Sequence, residues 1–543
     1  MIGKRGNRMK GKKLAGLLLA GLLSIGSMSF VQAAFGEGTQ NHMQILWENA
    51  AYNPHVNDPV TALDASIVQV TGGKIRGSLQ NGIYQYLGVP YGDAAERFVK
   101  ASPVRPWKGV RDATIYGPIA PQYLFGSNQL ITDVATSDNN LNLNIWTPSI
   151  RKGEKKPVMV WFHGGGYVSG SANEGWYDGE NLARKGDVVV VAVNHRLNVL
   201  GHLDLSAYGE KYKDSANIGS VDMVDALKWI QKNIVSFGGD PGNVTIFGES
   251  GGGSKVLELM SAPSARGLFQ KGIVESGTAR LSGGHFTPAA ISREATEETL
   301  KNLNIKPDEI EKLQTMPVEK LMEASDKALA VVAARHKIPD SLNTGYGLLL
   351  QPVSGTDFLP TNPVTKEGFA ESGRNVPLLI GTNLNEFTTI FPSTKYKNMT
   401  DEQKSLYAKA YPNEDPAGAE DVDVMFRPTT LEVMNHKAAQ GGAPVYAYVF
   451  TKQADAEAGA YHTSEIPFVF SNGREDTKLQ DTMTALWTSF AHSGVPKAEG
   501  VLGWKPYTEE NGNTMILDDQ SELVQHHDRA LLDALFPKKD FHF

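Results

Sequence analysis

A chain of 543 residues, 41% hydrophobic and 21% charged, has the balance of a folded globular protein, which excludes disorder and collagen-like structure. Its formal charge of -8 argues against nucleic acid and anionic membrane surfaces as partners. The chain has no Cys, which excludes thiol chemistry, iron–sulfur clusters and Cys-based zinc sites and leaves the size of the core to supply stability.

The N-terminus divides into a basic stretch (Lys4, Arg5, Arg8, Lys10, Lys12, Lys13), an apolar run from Leu14 to Phe30, and Val31-Gln32-Ala33. Small residues at the end of such a run suit a signal peptidase, so residues 1–33 are expected to be a secretory signal and the protein to be exported. A membrane anchor is the alternative, but Gly21, Ser24, Gly26 and Ser27 break the run and it is short for a span. Removing residues 1–33 would move the formal charge to about -14.

From Ile67 to Pro118, β-rich stretches broken by Gly72-Gly73 and Asn81-Gly82 predict an antiparallel opening to a sheet. Short apolar runs follow at 158–162, 188–193, 244–247, 272–274, 376–380 and 445–450, the pattern of buried strands in a largely parallel sheet. Helical periodicity lies between them, most plainly from Met223 to Val235. The expected fold is therefore α/β, with helices on both faces of one large sheet. Residues 282–375 are mostly polar and helical in pattern and predict a helical insertion over the active site. Residues 34–543 are expected to form one domain, with a boundary inside the insertion as the alternative.

Gly248-Glu249-Ser250-Gly251-Gly252 directly follows the strand 244–247 and precedes a helical run beginning near Ser254. A nucleophile on a sharp strand-to-helix turn needs such small neighbours, so Ser250 is the candidate nucleophile. Upstream, His163-Gly164-Gly165-Gly166-Tyr167 ends the strand 158–162. Acyl transfer puts negative charge on a carbonyl oxygen, and the N–H groups of Gly165, Gly166 and Gly251 could stabilise it. A phosphate-binding loop is the competing reading, but no Lys-Ser/Thr pair follows and Rossmann spacing is absent.

These two motifs leave base and acid open among 13 His and many carboxylates. If the chain order is nucleophile, acid, His, the base lies late; His462 follows the strand 445–450 by a loop, against His285, His336, His436, His492, His526, His527 and His542. Glu386 lies just past the strand 376–380, where loops at strand C-termini face an active site.

Together these segments resemble the type B carboxylesterases of the α/β-hydrolase superfamily, which include para-nitrobenzyl esterases and cholinesterases. The likeness extends to Tyr86-Leu87-Gly88-Val89-Pro90-Tyr91, Arg97-Phe98, Trp107-Lys108-Gly109, Leu141-Asn142-Leu143-Asn144-Ile145-Trp146, Phe237-Gly238-Gly239-Asp240-Pro241-Gly242-Asn243 and Trp487. The resemblance implies a Ser250–Glu386–His462 triad and oxyanion donors at Gly165, Gly166 and Gly251. It also implies a supporting role for Ser276, with Glu249 expected beside the nucleophile in similar support. The activity implied is hydrolysis of a small-molecule carboxylic ester through an acyl-enzyme, with no cofactor, no metal, no nucleic acid and no stable membrane anchor after signal cleavage.

Three departures accompany the likeness. Gly251 stands where the family usually has Ala, which is expected to leave slightly more room. Asn139-Asn140 replaces an Asp-Cys, so the family's early disulfide is absent. No Trp occurs between Pro118 and Asn139, only Tyr123 and Phe125 among aromatics of that kind, which argues against choline esters. A non-catalytic adhesion-type protein is the rival from another class, and lipase, amidase, thioesterase and polyester hydrolase are rivals within hydrolases.

Overall fold

The computed structural model describes residues 60–123, 129–278, 286–338, 348–365, 367–386, 399–414, 426–454, 459–473 and 477–535. The expected signal segment, Phe125 and parts of the insertion lie outside these residues. An 11-stranded sheet forms the frame. In chain order its strands are β1 (Ser78–Gln80), β2 (Ile83–Pro90), β3 (Asn142–Thr147), β4 (Lys156–Phe162), β5 (Val189–Val193) and β6 (Gly239–Glu249). They continue as β7 (Lys271–Glu275), β8 (Leu378–Asn383), β9 (Val445–Phe450), β10 (Asn513–Leu517) and β11 (Glu522–Gln525). Their spatial order is β1-β2-β3-β5-β4-β6-β7-β8-β9-β10-β11. Pairings from β5 through β4 to β10 are parallel, and those at both margins are antiparallel.

Both faces of the central strands are apolar because both are covered. Along β4, Val158, Val160 and Phe162 join a core with helices α1 (Ile218–Asn233), α2 (Gly251–Ser261) and α5 (Arg427–Ala439). Met159 and Trp161, on the alternate face, join Leu486, Trp487 and Phe490 of α6 (Lys478–Ser493). Such two-sided burial explains why these strands read as continuous hydrophobic runs.

The opening of the chain differs from the expectation in part. Val68–Val70 and Gly73–Arg76 pair antiparallel but belong to a separate three-stranded sheet, closed by a parallel pairing to Val110–Asp112; only β1 and β2 open the main sheet. The insertion is helical as far as α3 (Ala289–Asn302) and α4 (Val318–His336). Beyond it, residues 353–369 instead form three two-residue strands. Leu300, Leu313, Leu321 and Met322 of the insertion pack with Phe98, Val199, Leu203 and Tyr212, which fixes this layer to the loops around the C-terminal ends of the sheet.

Candidate active site

The nucleotide-free logic of a parallel α/β sheet puts chemistry at the C-terminal ends of its strands. Ser250 follows β6 and precedes α2, with φ +55° and ψ -124°. A non-glycine residue there carries backbone strain, held here by Ser250 N donating to Glu275 O at 2.8 Å and by Ser254 N donating to Ser250 O at 3.1 Å. The side is only half-buried, so the hydroxyl-bearing residue reaches the surface of the site.

Helix α2 begins at Gly251, three residues earlier than its periodicity suggested. Glycine's low helix propensity hides this start in the sequence, and close approach explains it: a Cβ on Gly251 would run into the backbone of Gly166. Contrary to the expectation of slightly more room at Gly251, the missing methyl group opens none, because the Gly166 backbone fills the space. Gly165 and Gly166 have φ of +79° and +62°, conformations open to glycine, and both are half-exposed whereas His163 is buried. The two backbone segments carrying the candidate oxyanion donors are thus in direct contact beside Ser250.

Glu386 and His462 come from the loops after β8 and β9. These loops zip together: Asn385 N donates to Ala460 O at 3.0 Å, Ala460 N to Asn385 Oδ1 at 2.7 Å, and His462 N to Glu386 O at 2.9 Å. The side chains then meet, with His462 Nδ1 2.6 Å from Glu386 Oε2. Phe426 stacks on the imidazole at 5.1 Å. Glu386 Oε1 accepts from Asn383 N at 2.8 Å. Burial pushes the Glu386 carboxyl up to about 8, while the Ser276 hydroxyl and the Asn383 N–H oppose the rise. Ser276 itself is fully buried at φ +47°, beside the carboxyl but without a well-aligned bond to it. The short contact fixes the ring's orientation and favours the proton on Nδ1, with the carboxyl placed to stabilise a cationic ring.

Glu249 Oε1 lies 3.1 Å from His462 Nε2, without the alignment of a hydrogen bond. Burial, followed by the neighbouring Glu465, Glu386, Glu275 and Glu174, raises the Glu249 carboxyl well above its ordinary range. A neutral carboxyl leaves Nε2 able to take a proton rather than locking the ring as imidazolium. Two further buried acids surround this side, neither singled out by sequence. Glu465 accepts from the Asn383 side-chain amide at 2.5 Å and is pushed up to about 7; Glu275 accepts from Trp487 Nε1 at 2.8 Å. Glu465 stands three residues after His462, the one sequence feature that could have pointed to it.

Across Ser250, under the Gly165–Gly166 loop, the chemistry is reversed. His163 and His195 stack at 5.1 Å, both held neutral chiefly by burial, and His202 is pushed down to about 3. Tyr167 follows the loop and meets Phe286 of the insertion at 6.1 Å, so the insertion reaches the oxyanion side. Among the described residues, no group of acids and histidines could hold a metal ion, and no helix is long and apolar enough to cross a membrane.

This constellation has counterparts in known proteins. The chain matches the Carboxylesterase family over residues 64–422 and 421–533. It is 33% identical to the para-nitrobenzyl esterase of Bacillus subtilis, over 87% of this chain and 99% of that protein. It is 32% identical to a medium-chain fatty acyl-CoA hydrolase precursor of Anas platyrhynchos, over 80% and 86%. Among solved structures, an esterase of Clostridium hathewayi described as hydrolysing aliphatic aromatic polyesters superposes with a TM-score of 0.76 at 35% identity, covering 88% of this chain and all of that one. The chain belongs to the carboxylesterase family of α/β-hydrolases, enzymes that hydrolyse carboxylic esters.

Proposed function

We propose that the protein is an exported serine carboxylesterase in which Ser250 is the nucleophile, His462 the base and Glu386 the acid that orients it. His462 Nε2 takes the Ser250 proton as Oγ attacks the ester carbonyl, and Glu386 holds the tautomer with the proton on Nδ1 and stabilises the imidazolium. The tetrahedral oxygen receives N–H bonds from Gly165, Gly166 and Gly251. Collapse breaks the ester C–O bond, His462 returns its proton to the leaving alcohol, and an acyl-Ser250 remains. Water then attacks with the same base, and the second collapse releases the acid and restores the hydroxyl. Every proton in this cycle moves between Ser250, His462, water and alcohol.

The observation carrying this reading is the 2.6 Å contact between His462 Nδ1 and Glu386 Oε2, on the loops two and three strands along the sheet from the strained turn at Ser250. Export rests on the basic, apolar and small-residue pattern of residues 1–33. The likeness to the Clostridium hathewayi esterase favours aliphatic aromatic polyesters as a second class of substrate.

A para-nitrophenyl ester series from acetate to palmitate tests the reading on wild type and Ser250→Ala. Fast turnover of short acyl chains is expected, with kcat falling about 10⁶-fold in the variant. A small loss on Ser250→Ala would contradict it, and preference for long chains at an interface would make the enzyme a lipase.

A further inference from the structure

Beneath the Gly165–Gly166 loop lies a buried polar cluster that the cycle above does not use. Lys255, about one and a half turns past Ser250 on α2, is wholly buried, and its Nζ donates to the His163 carbonyl at 2.8 Å. His163 begins the loop, so this carbonyl heads the peptides that carry the Gly165 and Gly166 N–H groups. Lys255 faces Glu258 from its own helix, Glu174 from the segment after the loop, and the Tyr167 ring at 5.5 Å. It also acts on His163 at the end of β4, His195 after β5 and His202 on the short helix Asn198–His202.

The surroundings are costly. His163 Nε2, His195 Nε2 and His202 Nε2 are buried without a well-aligned partner, and the buried Glu258 carboxyl is met by the Ser220 and Tyr167 hydroxyls rather than by water. A core serving stability alone would be apolar here, since a buried cation with few direct partners loses more hydration than it regains. What distinguishes the cluster is its contact with the loop that bears the oxyanion donors.

We propose that Lys255 is a positioning residue for the oxyanion site: it holds the His163 carbonyl from below, fixes the peptide planes of the loop, and places a cation on the side of Ser250 where negative charge forms. This rests on Ser250 being the nucleophile. The three imidazoles are held neutral by burial and by Lys255, so the positive charge of the cluster is the lysine's. Burial draws that ammonium down to about 7, opposed by Glu258 and then Glu174, whose carboxyls burial raises to about 8 and about 7. The ammonium therefore loses its proton as pH rises through about 7, which gives the rate an alkaline decline.

The test uses the full chain as wild type, Lys255→Met and Glu258→Gln, with para-nitrophenyl butyrate as substrate and an alkyl trifluoromethyl ketone, which forms an anionic adduct on a reactive serine. In Lys255→Met, kcat is expected to fall about 10- to 100-fold with KM within about twofold, and ketone affinity to fall by the same factor. Packing alone would not link these two losses. In Glu258→Gln, loss of the group that holds the ammonium's proton most strongly is expected to move the alkaline decline to lower pH, with melting temperature retained. A folded Lys255→Met with kcat and ketone affinity within twofold of wild type would overturn the proposal. Should that variant not fold, superimposable pH profiles of wild type and Glu258→Gln would overturn it. Failure of the ketone to bind wild type would instead strike the Ser250 reading itself.

Discussion

The two flanks of Ser250 differ: one sets four acids around His462, the other four bases around Glu258 and Glu174. Toward β7, β8 and β9 lie Glu249, Glu275, Glu386 and Glu465; toward β4 and β5 lie His163, His195, His202 and Lys255, and all eight are buried. Desolvation disfavours charge in both groups, so it raises the acids and lowers the bases. At rest the site therefore carries less charge than its composition suggests. The proposed reaction creates two charges, an imidazolium on the acidic flank and an oxyanion on the basic flank. Each arises beside groups of opposite tendency, which is preorganisation for the transition state rather than for the ester.

The comparison breaks most severely at Glu386. Replacing it with Gln should lower kcat about 10⁴-fold with the fold intact, because the amide favours the wrong imidazole tautomer; stopped assays of Glu386→Gln at fixed pH check this. Glu249 should behave differently although it also touches the ring. Its carboxyl is already neutral, so Glu249→Gln should cost less than about tenfold in kcat/KM, and a loss matching that of Glu386→Gln would show that Glu249 works as an anion.

The smallest expected effect concerns stability. Glu465 titrates near 7 when folded, against about 4.3 unfolded. Its contribution is full below the unfolded value and is lost as pH rises through the folded one, so stability falls between roughly pH 4.3 and 7 and stays lower above it. Glu465→Gln should shrink the fall in melting temperature from pH 5 to pH 8 by on the order of 1–3 °C, measured by calorimetry. An unchanged difference would mean that the carboxyl is not neutral in the fold.

The sequence disclosed what is patterned in short range. β9 was legible as Val445–Phe450 because six apolar residues sit between polar loops, and the Ser250 turn was legible because strand, small residues and helix succeed one another. β6 starts at Gly239, five residues before its apolar run, since Asp240, Pro241 and Gly242 carry no strand signal. β3 was visible only as a family motif: Asn142 and Asn144 read as a polar face, yet both are buried and their amides donate to Pro118 O, Asn140 O and Ala172 O. Lys255 and Glu258 were passed over for the same reason. Three residues apart on a helix, they have the spacing common to exposed ion pairs and nothing that marks burial, and only tertiary packing puts both in the core.

The most direct test is reaction of the full chain with a fluorophosphonate ester, followed by peptide mass spectrometry. The account predicts one phosphonyl adduct on the peptide containing Ser250, formed in step with loss of esterase activity and absent from Ser250→Ala. An adduct on another serine, or inactivation that persists in Ser250→Ala, would contradict it.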